Sequence, residues 1–410
     1  MCTNKVRGRG PRDHCSRRGA VLPTAPRFFE RMIRRALAKR WFVFLATVVV
    51  HALSTRGRAL ASPDTTLYIQ LSDGFLRGDP SQTFTTAAVR WTKTLYLLLL
   101  TGARVAAPVH WMALMVAFNV ICSGIVAVLL VGIALRASRS AAAPLVAWLA
   151  YLGCYELVQW LPFVLTDLMF CAAALVPFAL VARRILEPAT PPRPWLLAIS
   201  LAIACFCRPP GALLIPLVLF AELVLVRRTL SVRAAAAIIL GIAAAALIVR
   251  TAVVYEPARW PFRFVRPKLE EFSGREKTGE VVYDRKETFR PPPKTAADHV
   301  TIEADRFARF FQFTSSAYSR AHNLTNAVFF VPLYALGIFG AIAAIRGDDR
   351  RRRAYVAALL VWIGVYAYFF ALTVLDYDWR FRVPLIPHFI LLAACGVDAL
   401  AVRRQPIASR

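Results

Sequence analysis

Residues 109–135 read VHWMALMVAFNVICSGIVAVLLVGIAL, an apolar run that contains no Lys, Arg, Asp or Glu. At 1.5 Å per residue, an α-helix of this length crosses the hydrocarbon core of a bilayer, which is about 30 Å thick. A helix on the surface of a soluble protein would carry a polar face, and this run has none. The stretch therefore predicts a transmembrane helix.

The composition extends this prediction to the whole chain. Of the 410 residues 58% are hydrophobic, and the mean hydropathy is +0.52. One soluble core could not bury so much apolar surface, so a bilayer must solvate part of it. We predict an all-α, polytopic integral membrane protein with about ten transmembrane helices. The predicted spans are residues 41–58, 109–135, 142–160, 162–182, 195–207, 210–226, 233–254, 324–345, 354–374 and 385–402.

The distribution of charge predicts the orientation. The formal net charge is +27, from 51 Lys and Arg against 24 Asp and Glu. More than half of the basic residues fall in the two tails and in every alternate short connection, which the positive-inside rule places in the cytoplasm. Both termini are then cytoplasmic, and residues 59–108 and 255–323 lie on the outer face. Since the basic excess has this explanation, we predict no nucleic-acid partner.

Five segments follow from the pattern. They are a basic cytoplasmic tail with an interfacial helix (1–40), an N-terminal transmembrane module that contains the outer loop 59–108 (41–254), an outer periplasmic loop (255–323), C-terminal transmembrane helices (324–402) and a cytoplasmic tail (403–410).

Three alternatives stay open in this scheme. Translation could begin at Met32. The first span could be a cleaved signal peptide that ends near Ala59-Leu60-Ala61, although the 40-residue basic segment before it favours an uncleaved membrane anchor. Residues 195–226 are broken by Arg208-Pro209-Pro210-Gly211, so they form either two crossings or a shallow hairpin.

The first outer loop holds a candidate catalytic carboxylate. It begins Ser62-Pro63-Asp64-Thr65-Thr66-Leu67-Tyr68, continues with Leu71 and Phe75 at helical spacing, and stops at Arg77-Gly78-Asp79-Pro80. This pattern predicts an amphipathic helix on the outer surface with Asp64 at its N-terminus. Asp64 either caps the helix or acts as a general base at the membrane surface, and the local sequence favours neither role.

This arrangement resembles the GT-C glycosyltransferases, the superfamily that includes protein O-mannosyltransferases and the aminoarabinose transferases of lipid A. Three later stretches carry the same likeness. They are Leu165-Thr166-Asp167-Leu168-Met169-Phe170, Cys207-Arg208-Pro209-Pro210-Gly211 and Asp378-Trp379-Arg380-Phe381-Arg382-Val383-Pro384. The chain departs from the family at Thr65, where many members have a second acidic residue, and at residues 90–94, which lack a Pro-Gly-Tyr-Pro type turn.

The resemblance implies an enzyme that moves a sugar from a polyprenyl-phosphate donor to an acceptor on the outer face of the bacterial plasma (inner) membrane. The donor's leaving group is already a phosphate, so the reaction needs a base and cations but no general acid. We predict Asp64 as the base and Arg380, Arg382 and Arg208 as contacts to the donor phosphate. The predicted substrate-binding residues are Tyr68, Glu156, Asp167 and Asp378. For Asp167, a place at the start of the fourth span is an equal alternative to a role in binding the sugar or orienting a cation.

The topology gives this site independent support. Charged residues from distant segments come out near the outer boundary, where ionisable groups are costly unless they are paired or hydrated, and this indicates a cavity. They are Asp64, Glu156, Asp167, Arg208, Asp376, Asp378, Arg380 and Arg382. Snorkelling side chains and simple ion pairs are the alternative explanation for about half of them. Asp398, near an inner end, is expected to reach solvent by snorkelling.

Metal dependence and the acceptor stay open. Only Asp64, Asp167 and Glu156 could ligate a divalent cation at the site, and their hard oxygen atoms favour magnesium or manganese. The acceptor is a glycan, a glycolipid or a protein. The main alternative function is a transporter or lipid flippase of cell-envelope precursors, which would carry polar groups near the bilayer midplane. A surface-polysaccharide polymerase or a structural assembly factor are further alternatives.

Overall fold

The computed structural model describes residues 25–79, 81, 91–189, 191, 193–226, 266–373 and 379–403. Within these ranges the chain is helical and forms no strand, apart from an isolated bridge between Leu60 and Phe163. The predicted all-α class is confirmed. The predicted span 233–254 and the residues Asp376 and Asp378 lie outside the described ranges.

Fifteen α-helices are described, and we number them in chain order. They are α1 (Ala25–Ala38), α2 (Arg40–Thr55), α3 (Pro63–Leu76), α4 (Thr94–Ala106), α5 (Trp111–Ala137), α6 (Ala142–Leu152), α7 (Tyr155–Val158), α8 (Asp167–Leu186), α9 (Pro194–Cys207), α10 (Leu214–Phe220), α11 (Arg266–Lys277), α12 (Ala296–Phe310), α13 (Arg320–Arg346), α14 (Arg350–Ala371) and α15 (Ile386–Arg403). Short 3-10 turns precede three of them at Trp91–Lys93, Pro209–Leu213 and Arg380–Leu385.

Several helices are long and apolar enough to cross a membrane. Five described segments qualify by length and composition, namely α5, α8, α13, α14 and Arg380–Arg403. A sixth span results if α1 and α2, which meet at an angle of 77°, are counted together. These helices support a multi-pass membrane protein, and the count of ten stays a prediction.

The segment 142–160, predicted as one span, is broken in the structure. Helix α6 has only 11 residues and ends at Leu152, with Gly153 as its C-cap. At 1.5 Å per residue it covers about half of a hydrocarbon core. The chain turns at Cys154, whose backbone is extended, and then forms the short helix α7. This break turns Glu156 toward an arginine of a distant segment, as described below.

The last helix, α15, packs most extensively against α13. Their axes approach closely because glycines face each other, and a side chain at Gly396 would collide with the carbonyl oxygen of Leu336 on α13. Small residues at such crossings are typical of membrane helices. The packing fixes α15, and with it the Arg380–Leu385 turn that leads into it.

The far end of α15 holds a buried carboxylate. Asp398 Oδ1 accepts hydrogen bonds from the backbone N–H groups of Arg139 and Ser140, both at 2.8 Å. Its Oδ2 accepts one from Arg352 Nη1 at 2.7 Å. The expectation that Asp398 snorkels is wrong, because the side chain is fully buried and joins α15 to the α5–α6 connection and to α14.

Candidate functional site

The N-terminus of α3 is capped by neighbours of Asp64. Ser62 Oγ accepts a hydrogen bond from the Thr65 backbone N–H at 3.3 Å, and Thr65 Oγ1 accepts one from the Ser62 N–H at 2.9 Å. Thr65 Oγ1 also donates to the carbonyl oxygen of Val164 at 2.9 Å. This capping box satisfies the helix end, so the alternative that Asp64 is the cap is wrong. The Asp64 carboxylate is left for a tertiary partner.

That partner is Arg380. Its Nη2 donates a hydrogen bond to Asp64 Oδ2 at 2.6 Å, although the two residues lie 316 positions apart in the chain. The Asp64 side chain remains 37% exposed, whereas that of Arg380 is mostly buried. Asp64 is therefore a paired but accessible carboxylate.

Arg380 also approaches a second carboxylate. Its Nε lies 3.8 Å from Asp167 Oδ2 at the start of α8. Asp167 is buried and forms a close ion pair with Arg208, the residue between α9 and the Pro209–Leu213 turn. The residues Asp64, Arg380, Asp167 and Arg208 thus form a continuous row of alternating charge, which we call the Asp64 cluster.

A lysine and three tyrosines surround the Asp64 cluster. Lys93 Nζ donates to Tyr68 Oη at 3.2 Å and lies over the Tyr68 ring, 4.8 Å from its centroid. The Tyr96 ring packs edge-on against that of Tyr68, with centroids 5.2 Å apart. The hydroxyl groups of Tyr96 and Tyr366 are buried and have no hydrogen-bond partner among the described residues. Buried hydroxyls without a protein partner are uncommon in folded proteins.

Sequence reasoning missed Lys93, Tyr96 and Tyr366. A usable signal existed for Lys93, because it is a single cation immediately before the apolar helix α4. No local signal marks Tyr96 and Tyr366, since both lie within apolar helices, where tyrosine is common in a core.

The electrostatic surroundings keep Asp64 ionised. Partial burial of the carboxyl is the largest single effect and raises its pKa. The charges of Arg380, Lys93 and Arg208, together with the hydrogen bond from Arg380, outweigh that effect. The net result is a pKa below the ordinary value of 3.8, so Asp64 is a carboxylate at neutral pH.

The predicted residues Glu156 and Arg382 form a separate, closed pair. Arg382 Nε lies 2.9 Å from Glu156 Oε1, and Arg382 Nη2 lies 2.5 Å from Glu156 Oε2. Arg382 Nη1 donates to the carbonyl oxygens of Phe310 and Gln312 at 3.2 and 2.6 Å. Both side chains are buried. Every nitrogen of the Arg382 guanidinium is therefore occupied by protein, which leaves none directed at a donor phosphate.

The structure thus brings together five of the predicted site residues and separates two. Those in or beside the Asp64 cluster are Asp64, Tyr68, Asp167, Arg208 and Arg380. Glu156 and Arg382 lie in the closed pair, and Asp378 lies outside the described residues.

A divalent metal does not fit the carboxylates that are described. Asp64, Asp167 and Glu156 each face an arginine rather than one another. Among the residues that the structure describes, no group of three or more His, Cys, Asp or Glu side chains is arranged to hold one ion. Magnesium and manganese bind chiefly through oxygen ligands, and an adjacent guanidinium competes for those oxygens.

Fold and composition together define a helical protein of the multi-pass membrane type, with a cluster of ionised groups at one end of its helices. Comparison with protein-family models, with curated proteins and with solved structures finds no match to the chain.

Proposed function

We propose that this protein is a membrane glycosyltransferase of the GT-C type, which transfers a sugar from a polyprenyl-phosphate donor to an acceptor at the outer face of the bacterial plasma membrane. The proposal includes ten spans, cytoplasmic termini and α3 lying on the outer surface. One observation carries it: Asp64 is an accessible carboxylate held by an arginine at the end of a set of apolar helices.

The reaction needs a base beside a cation, and the Asp64 cluster offers both. Asp64 would accept the proton of an acceptor hydroxyl or amine as its oxygen or nitrogen bonds to the anomeric carbon. The bond between that carbon and the phosphate oxygen breaks, and polyprenyl phosphate leaves with the bonding electrons. Arg380 and Arg208 would hold the charge of the leaving phosphate through charge-assisted hydrogen bonds.

Arg380 would couple donor binding to the strength of the base. While it is paired with Asp64, its charge lowers the pKa of that carboxyl, which makes Asp64 a weak base. A donor phosphate would compete with Asp64 for the same guanidinium. As Arg380 turns toward the phosphate, the pKa of Asp64 rises and its carboxylate becomes a better proton acceptor. The base would then reach full strength only with the donor in place.

We assign Glu156 and Arg382 to positioning rather than to contact with the donor. Their bidentate pair joins α7 to the Arg380–Leu385 turn, and the Arg382 bonds to Phe310 and Gln312 join that turn to the end of α12. Only Phe381 separates Arg380 from Arg382 in the chain. The Glu156–Arg382 pair therefore fixes the position of the Arg380 backbone.

The decisive experiment compares Asp64→Asn with Asp73→Asn in membranes supplied with labelled polyprenyl-phosphate sugars. Asp73 is a matched control, because it lies on the same helix, is 35% exposed and pairs with Arg104 at 2.7 Å. Loss of a general base lowers a rate by roughly 10²–10⁴-fold. We expect that loss in Asp64→Asn alone, at equal protein levels.

Two results would contradict the assignment. Transfer at the wild-type rate by folded Asp64→Asn would remove Asp64 from catalysis. Movement of the labelled lipid across the membrane, without transfer of its sugar to any acceptor, would instead favour a flippase.

A further inference from the structure

A polar cavity of about 70 Å³ is lined by residues from two distant segments of the chain. One of its walls is Trp379, the residue directly before Arg380. The other walls come from the two ends of the segment between α11 and α13, and the residues used below are Arg285, Glu287, Arg309, Gln312 and Ser316. Trp379 therefore joins the cavity wall, through a single peptide bond, to the residue that pairs with Asp64.

Hydrogen bonds fix the cavity relative to the Asp64 cluster. Trp379 Nε1 donates to the carbonyl oxygen of Arg309 at 2.8 Å. Arg382 Nη1 donates to the carbonyl oxygen of Gln312 at 2.6 Å. Both bonds run from the turn that carries Arg380 to the cavity wall, so a group held in the cavity would have a defined position relative to Asp64. Such pre-organisation is what an acceptor subsite requires.

The polar groups of the cavity are of mixed kind. Arg309 and the buried Arg285 supply donors, and Arg285 lies over the Trp379 ring at 4.9 Å. The exposed Glu287 supplies an acceptor, and the exposed Ser316 hydroxyl can do either. A sugar ring needs donors and acceptors together, since each of its hydroxyls is both. A neutral polyhydroxyl ligand can pair with both the guanidinium groups and the carboxylate, whereas an apolar ligand would leave these groups unpaired.

We propose that this cavity binds one uncharged, hydroxyl-bearing sugar ring of the acceptor. This inference rests on the proposed transferase function and names the acceptor as a neutral glycan. The cavity has room for a few water molecules only, so one edge of the ring enters while the rest stays at the rim formed by Glu287 and Ser316. The ring hydroxyls would then form the hydrogen bonds that water could form there.

The test measures binding rather than turnover. Detergent-solubilised full-length protein is applied to immobilised uncharged hexose oligosaccharides, and to the same oligosaccharides carrying phosphate. Three variants change the cavity. Ser316→Trp fills it, and Glu287→Gln and Arg309→Gln each remove one charge from its lining. Lys286→Gln, an exposed neighbour outside the cavity, and Asp73→Asn, on α3, are the controls.

We expect wild type and both controls to bind an uncharged oligosaccharide. Each cavity variant should bind it roughly tenfold more weakly, which is the loss of about one well-formed polar contact. No binding by wild type at millimolar concentration, or wild-type binding by Ser316→Trp, would overturn the proposal. Preference for the phosphorylated glycan, with tighter binding by Glu287→Gln, would overturn it in favour of an anion site.

The experiment also separates this inference from the proposed function. If the glycan binds but labelled donor is never consumed, the acceptor-binding cavity is supported and the transferase function is rejected. If consumption of the donor depends on Asp64 while Ser316→Trp binds the glycan and transfers sugar like wild type, the transferase function is supported and the acceptor-binding role of the cavity is rejected.

Discussion

Two carboxylate clusters lie toward opposite ends of α15 and differ in how completely they are closed. Asp398 is fully buried and accepts bonds from two backbone N–H groups and from Arg352. Asp64 is 37% exposed and accepts one hydrogen bond among the described residues, from Arg380. About 18 Å of helix separates Asp398 from the start of α15, near which Arg380 lies. The sealed carboxylate stabilises the fold, and the accessible one is suited to chemistry.

The difference teaches that pairing with arginine does not by itself identify a functional carboxylate. A buried carboxylate is tolerated when protein groups replace the hydrogen bonds that water would make, as they do at Asp398. Protein groups supply only part of the hydrogen bonds that the Asp64 carboxylate can accept, and its side chain stays partly exposed. The predictions below test this contrast, from the largest expected effect to the smallest.

The largest effect is expected on stability when the sealed carboxylate is removed. Asp398→Ala leaves Arg352 and two backbone N–H groups without their acceptor, so the free energy of unfolding should fall by about 3–5 kcal/mol. Asp64→Ala, at a partly exposed pair, should change it by about 0–1 kcal/mol. Denaturant unfolding in detergent measures both. Equal losses in the two variants would break the contrast between the clusters.

Removal of the arginine beside the accessible carboxylate should affect donor use. Arg380→Ala deletes a charge-assisted hydrogen bond worth about 1.5–3 kcal/mol, so the KM for the polyprenyl-phosphate sugar should rise by roughly 10–150-fold. Arg380→Lys should recover part of this loss because the charge remains. Donor-concentration series at matched protein levels supply the measurement. A variant whose KM is unchanged would exclude a phosphate contact at Arg380.

The closed pair should respond to geometry rather than to charge. Arg382→Lys keeps the positive charge but cannot form the bidentate contact with Glu156, and a positioning role predicts a fall in kcat/KM of about tenfold. Glu156→Gln breaks the same contact without removing a cation, so it should give the same loss. If Arg382 instead contacted the donor phosphate, Arg382→Lys would raise the donor KM and Glu156→Gln would leave it unchanged. Measuring kcat and KM for both variants distinguishes the two roles.

The smallest effect is expected in the pH dependence of stability. The pKa of Asp64 is lowered in the folded protein, so the contribution of its ionised form is complete above the ordinary value of 3.8 and is lost as the pH falls through the lower, folded pKa. The stability difference between wild type and Asp64→Asn should be constant from about pH 5 to 8 and shrink below about pH 4. A difference that begins to shrink near neutral pH would indicate a raised pKa instead.

Much of the fold followed from local sequence. The apolar run 109–135 predicts a helix, and the structure has α5 at Trp111–Ala137. The motif that begins at Ser62 predicts a helix N-terminus, and α3 begins at Pro63 with Ser62 as its cap. Both succeed because hydropathy and capping act over a few residues. The segment 142–160 fails as one helix. Helix α6 ends at Leu152, and Glu156 in the short helix that follows pairs with Arg382, 226 positions away, which local sequence does not reveal.

Sequence alone determined that the described chain is built of apolar helices and which residue types could serve at a site, because both follow from neighbouring residues. Only the tertiary structure decided which charges meet. Asp64 and Arg380 pair across 316 positions, Arg382 is enclosed by Glu156 and backbone carbonyls, and Asp398 is buried rather than snorkelling. Burial and pairing depend on how distant helices pack, and that packing separates an accessible carboxylate from a sealed one.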